Sequence, residues 1–218
     1  MLPKPLIIAI LPKKKGEKTV TESAKKLFGR HGNGKVKCTG DLDAFYYRMH
    51  TGDENGKTTY KWGEIVLCDL AEQKIVSKCS AVKEKDASYI ITLANETSEG
   101  VGNESSSSWN AKPGYVMTGR IHVGDENEPS TIISKQIVVK DKATGNVLPL
   151  SADTPVVITS EKESNGTNVQ VPLVNAVKID GISTTLYLPI TGRTHSGDEN
   201  GKTDTYFTKY SLAGTSEA

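Results

Sequence analysis

Eight residues of this chain return twice more. Arg48-Met49-His50-Thr51-Gly52-Asp53-Glu54-Asn55 is followed by Arg120-Ile121-His122-Val123-Gly124-Asp125-Glu126-Asn127 and by Arg193-Thr194-His195-Ser196-Gly197-Asp198-Glu199-Asn200. The pattern is R-x-H-x-G-D-E-N, with six fixed positions, and the histidines stand 72 and 73 residues apart. Chance does not explain it. Nothing else in the chain repeats convincingly, so the sequence argues against a solenoid or a trefoil of near-equal modules. It points instead to one local device set into diverged surroundings.

The device reads as the end of a β-hairpin. Arg and His two apart share one face of a strand. Glu54-Asn55-Gly56-Lys57 and Glu199-Asn200-Gly201-Lys202 predict two-residue turns, because Asn and Gly both accept positive φ. Tyr46, Arg48 and His50 then run up one face of a first strand, and Thr58, Tyr60 and Trp62 alternate down the next. The third copy offers Tyr206, Thr208 and Tyr210 in the same layout. In the second copy Glu128-Pro129 replaces Gly-Lys, which predicts a wider loop or one that ends at an edge.

Three roles compete for it. The first is a stabilising turn, with Asp and Asn bonding backbone groups. The second is a contact surface: Arg with Asp or Glu is self-complementary, which suits a homo-oligomer whose patches meet. The third is a metal or catalytic site, but a lone His-x-x-Asp lacks ligand density and three hairpins would have to converge. Lys57 and Lys202 also interrupt the oxygens that a calcium loop needs. The residues assigned to an assembly or contact motif are Arg48, His50, Asp53, Glu54, Asn55, Arg120, His122, Asp125, Glu126, Asn127, Arg193, His195, Asp198, Glu199 and Asn200. Each Arg is expected to pair with an Asp or Glu of a motif, its own or another copy's. No catalytic residue, metal ligand or cofactor is assigned. The chain has no GxSxG, HExxH, phosphate loop or dinucleotide fingerprint. Gly56-Lys57-Thr58 resembles the end of a phosphate loop, but a hairpin follows where a helix is needed.

Around the motifs, short Val/Ile/Thr/Tyr runs alternate with Gly/Asn/Asp punctuation. They predict strands over 35–39, 43–50, 58–69, 73–82, 88–94, 115–122, 131–140, 155–160, 168–179, 184–191 and 203–212. Asp141–Asn146 and Asn165-Gly166 read as hairpin loops. Thr21–Gly29 carries a cap, late lysines and a terminal glycine, and predicts a two-turn helix. Residues 95–114, rich in Ser, Gly, Asn and Glu, read as a loop, with Trp109 pinning its end. The fold expected is mainly β: an antiparallel β-sandwich or barrel with one short N-terminal helix. Its parts are an N-terminal arm and helix (1–34), a first β unit (35–94), the Ser/Gly-rich loop (95–114) and a second β unit (115–218).

The start, MLPKPLIIAILPKKKGEK, has its basic run after the apolar one and no small-residue cleavage site, so it reads as mature sequence. Its two prolines bound a short extended segment. That segment fits either an arm reaching a neighbouring subunit or an edge strand of the chain's own sheet. Cys38, Cys68 and Cys79 are an odd set without metal spacing, best read as reduced thiols. Asn95, Asn103 and Asn165 fit the glycosylation pattern, which means little without secretion.

Composition closes off several classes. Lys and Arg number 27 against 26 Asp and Glu, so no strong field holds a polyanion. Aromatics at 6% are too few for a base-stacking surface, and the longest apolar run is too short to span a bilayer. The expectation is a non-enzymatic structural or assembly protein, a subunit of a repeating homo-oligomeric particle such as a phage or viral capsid, decoration or tail component. Its partners would be copies of itself and other assembly proteins, with no specific nucleic-acid site and no membrane span. Its place would be a virion assembled in the cytoplasm. The alternative is a carbohydrate-binding or adhesive β-sandwich at a cell surface.

Overall fold

A computed structural model describes residues 5–21, 34–52, 56–122, 124, 127–160, 165–169, 177–198 and 201–212. The first strands are β1 (Leu6–Thr21), β2 (Lys35–Lys37), β3 (Asp43–Thr51), β4 (Lys57–Asp69), β5 (Lys74–Ile75) and β6 (Tyr89–Asn103). Next come β7 (Ser108–Asn110), β8 (Tyr115–His122), β9 (Pro129–Asp141), β10 (Val147–Leu148), β11 (Leu150–Ala152) and β12 (Val156–Ser160). The last are β13 (Asn165–Val169), β14 (Val177–Ile179), β15 (Ile182–Thr184), β16 (Ile190–Ser196), β17 (Lys202–Phe207) and β18 (Tyr210–Leu212). Every ladder between them is antiparallel. Among the described residues the only helical pieces are 3-10 turns at Glu84–Asp86 and Glu104–Ser106. The chain is therefore mainly β and sandwich-like. The helix expected at Thr21–Gly29 falls on residues outside those described, apart from Thr21, which ends β1.

Three sheets carry the fold. The first runs β11-β18-β1-β4-β3-β13, with β5 also on β4. The second runs β10-β9-β8-β2, with β6 on the other side of β9. The third runs β12-β17-β16-β7, and β14 and β15 form a small separate ribbon.

The N-terminal segment is neither a free arm nor an edge. β1 pairs with β4 from Ile7↔Cys68 to Thr21↔Lys57, and its other side meets β18 and Tyr187. Ile8 and Ile10 enter one buried cluster with Ile65, Leu67 and Val116, while Ala9 and Leu11 enter another with Val66, Val177 and Leu186. A strand buried on both faces needs a continuous apolar run, and LIIAIL is one. The lysines that follow fall in a register shift between Pro12 and Glu17, where Lys13 Nζ reaches Asp43 Oδ1 at 2.7 Å.

Other expectations change as well; of 184–191, only Thr184 and Ile190–Thr191 lie in strands. Residues 95–103, expected as loop, continue β6 along β9 as far as Asn103↔Pro129. This edge strand is held by its ladder and needs no apolar face, so its polar composition hid it. Asn165-Gly166, expected as a turn, lies in β13 against β3, with a register shift at the glycine. Of 73–82, only Lys74–Ile75 forms a strand. The Asp141–Asn146 turn is as expected: Asp141 Oδ1 accepts from Thr144 N at 2.7 Å, and Gly145 has φ +74°. Trp109 is buried in a cluster with Trp62, Phe45 and Phe207, so it does pin its segment.

Candidate functional site

Each sheet contributes one motif hairpin: β3–β4, β8–β9 and β16–β17. The register is the same in all three. Arg48, Arg120 and Arg193 stand opposite Tyr60, Ile132 and Thr205, and His50, His122 and His195 stand opposite Thr58, Ser130 and Thr203. Each ladder also shifts register at the same place, between Phe45 and Tyr47, Met117 and Gly119, and Ile190 and Gly192. That shift moves the inward face by one residue. Phe45, not Tyr46, therefore shares a side with Arg48. On the third return strand, which has no extra residue, the pairing of His195 with Thr203 puts Thr203, Thr205 and Phe207 on the inward side in place of Tyr206, Thr208 and Tyr210.

The loops also differ from expectation. Thr51↔Lys57 and Ser196↔Lys202 are the last pairs, so five residues connect the strands, not two. Among the described loop residues the motif glycine is left-handed: Gly52, Gly124 and Gly197 have φ of +99°, +123° and +101°. In the second copy Ser130 follows His122 at the same interval as Thr58 follows His50.

A third strand completes each unit. Val36 on β2 pairs with Arg120, Trp109 on β7 with Arg193, and Val169 on β13 with Arg48. The strand preceding each hairpin lies beside the next hairpin, and the last returns to the first. The three units are thus equivalent in register and exchange strands in a ring. This corrects the argument against near-equal modules, since the equivalence lies in backbone pairing and not in sequence. β3, β8 and β16 each contact the other two.

The motif arginines and histidines lie inside this ring. Arg48, Arg120 and Arg193 are 4%, 0% and 4% exposed, and all three histidines are buried. They are therefore no exposed contact patch. Glu104, on the 3-10 turn where the chain crosses from the second sheet to the third, binds two of the arginines. Arg120 Nη2 donates to its Oε2, and Arg193 Nη2 donates to its Oε1 at 2.7 Å. Arg120 Nη1 also donates to Tyr60 Oη of the first sheet at 3.3 Å, and Arg193 Nη1 to Ser107 Oγ at 3.1 Å. A line of polar contacts, Tyr60–Arg120–Glu104–Arg193, therefore ties the three sheets. The carboxylate shared by two motif arginines belongs to no motif.

Each histidine Nδ1 meets a hydroxyl across its hairpin: Thr58 at 2.8 Å, Ser130 at 3.0 Å and Thr203 at 2.5 Å. The proton placement differs between copies. Ser130 Oγ donates its one proton to Glu104 Oε2 at 2.8 Å, so His122 must donate from Nδ1. His195 Nε2 donates to the Asp198 carbonyl at 2.9 Å, which leaves neutral His195 accepting at Nδ1 from Thr203. Burial would raise the Glu104 pKa. The charges of Arg120, Arg193, His122 and Arg48 outweigh it and hold the carboxyl well below its usual range.

Asp53, Glu54, Asn55, Asp125, Glu126, Glu199 and Asn200 lie outside the described residues; Asn127 and Asp198 are exposed. Among the described residues no three His, Cys, Asp or Glu side chains gather to hold a metal ion. No helix of the described chain is long and apolar enough to cross a membrane. The cysteines are unpaired, and Cys68 donates to the Ile7 carbonyl at 3.3 Å.

Sequence reasoning placed Thr58 on the facing strand without giving it a role and missed Ser130 and Thr203, although aligning the copies three residues past the motif shows Thr, Ser and Thr. It missed Glu104, which has no repeat to mark it. Comparison of the chain with protein-family models, curated proteins and solved structures finds no match.

Proposed function

We propose that the chain is a non-enzymatic structural protein, a subunit of a repeating homo-oligomeric particle such as a phage or viral capsid, decoration or tail component. The observation that supports this reading is where the motif goes. Arginines and histidines, the residues best suited to surface recognition or chemistry, are spent inside the chain tying three sheets together. A buried polar network favours the one arrangement that satisfies its members, so it rigidifies the sheets around it. A subunit copied many times benefits from such a fixed geometry.

The surface offers a means of association. Val156 and Val157 on β12 are 44% and 46% exposed, and among the described residues β12 pairs only with β17. An apolar strand edge is a template for pairing with another copy. Other copies of the chain are thus the first partners, and a virion assembled in the cytoplasm is the setting. Native mass measurement of the full chain tests this, with Val157→Lys as the edge variant. A discrete large homo-oligomer that the variant weakens is expected. A monomer at every concentration would overturn the reading.

One observation favours carbohydrate binding as the second reading. A shallow recess is lined by Asn110, Pro113, Asp153, Pro155, Tyr206 and Thr208, so a half-buried phenol ring lies beside an amide and a carboxylate. Selective NMR shifts of these residues with monosaccharides would support it.

A further inference from the structure

Glu104 occupies a socket whose walls come from two sheets. Arg120 and Ser130 stand on the second, Arg193 on the third, and Ser107 on the turn between them. We propose that this socket is a binding site for a small carboxylate, filled here by the chain's own Glu104, and that free acetate takes it when Glu104 is shortened. Each carboxylate oxygen meets an arginine Nη2 from a different sheet, and the Ser130 hydroxyl adds a third donor. Both guanidiniums have a further partner that does not depend on the Glu104 side chain, Tyr60 Oη for Arg120 and Ser107 Oγ for Arg193. The turn is also anchored by its backbone, since Glu104 N donates to the Glu128 carbonyl at 3.1 Å. Losing the side chain therefore empties the socket without removing its walls.

The size of the guest follows from the covalent structure. Truncation to alanine removes a CH2–COO⁻ group, which is acetate less one hydrogen. Two fixed arginine donors select a two-oxygen anion over a spherical one. The inference does not depend on the assembly reading.

The test is thermal and denaturant unfolding of full-length Glu104→Ala in sodium acetate, formate or chloride at equal ionic strength. In chloride the folding equilibrium should fall by roughly 100-fold or more. Acetate should restore much of that loss in a saturable way, formate less, and the wild type should not distinguish the salts. Glu104→Gln, whose side chain still fills the socket, should show no acetate response. Adding Arg193→Met to Glu104→Ala should abolish it. If Glu104→Ala does not fold in chloride, refolding yield in each salt is the readout, with recovery specific to carboxylates expected. Equal effects of acetate and chloride, an unaffected Glu104→Ala, or an acetate response that survives Arg193→Met would each overturn the proposal.

Discussion

Glu104 is a carboxylate that stays ionised where burial opposes it. A carboxyl whose folded pKa is depressed adds stability above its unfolded pKa, near 4.3, and loses it as pH falls through the lower folded value. Its contribution should thus persist at pH 5 and fade only in stronger acid. Glu104→Gln should cost about 3–5 kcal/mol at neutral pH and remove that acid-dependent part, as measured by chemical denaturation across pH. Two more side chains make separate predictions. Burial, with smaller effects of Cys79 and Asp69, pushes the Cys68 thiol up to about 12, so an alkylating reagent should label it only after unfolding. Nitrogen NMR should show a proton on Nδ1 of His122 and on Nε2 of His195. An unprotonated Nδ1 in His122 or an unprotonated Nε2 in His195 would contradict the hydrogen-bond assignment.

Within a hairpin, the motif divides its work between backbone and side chain. The glycine supplies a left-handed residue to the turn; at Gly52 an added Cβ would also lie 2.9 Å from Gly56 Cα. Gly52→Ala should therefore destabilise by about 1 kcal/mol or more, read from a denaturation midpoint. The hydroxyl opposite each histidine is not equally loaded. Ser130 bonds His122, Glu104 and Arg120, whereas the Thr203 hydroxyl meets His195 and lies outside the Glu104 network. Ser130→Ala should cost roughly 1–3 kcal/mol and exceed the cost of Thr203→Val. Equal costs would mean that the Glu104 network adds nothing to the hairpin that carries it.

Across the whole molecule, the ring of exchanged strands makes each unit incomplete without its neighbours. β2 serves the second hairpin although it precedes the first, and β13 closes the ring onto β3. Unfolding should therefore be one cooperative transition, with core amides of β3, β8 and β16 exchanging at a common global free energy. Arg193→Ala should speed exchange in the second sheet as well as the third, because its partner carboxylate is also held by Arg120. Faster exchange confined to the third sheet would show that the sheets are not energetically joined.

Local chemistry was legible in the sequence because it depends on near neighbours. The alternating runs marked β3, β4, β8 and β9 closely, and R-x-H announced two side chains on one strand face. The continuous apolar run of β1 was visible too. That it lies inside the sheet and not beyond it depended on which residues cover its two faces, and these come from positions 44–47, 65–75, 91–139 and 177–212. Register was decided by tertiary packing: one shifted residue in each hairpin exchanges the inner and outer faces, and no local propensity records it. The same holds for the ring and for Glu104. Pairing Val36 with Arg120, or bringing one glutamate between Arg120 and Arg193, takes ladders and ion pairs spanning many tens of residues. Their energy exists only once the three sheets have closed around a common interior. The sequence by itself determined that there are three like hairpins; only the closed fold decided that they face one another.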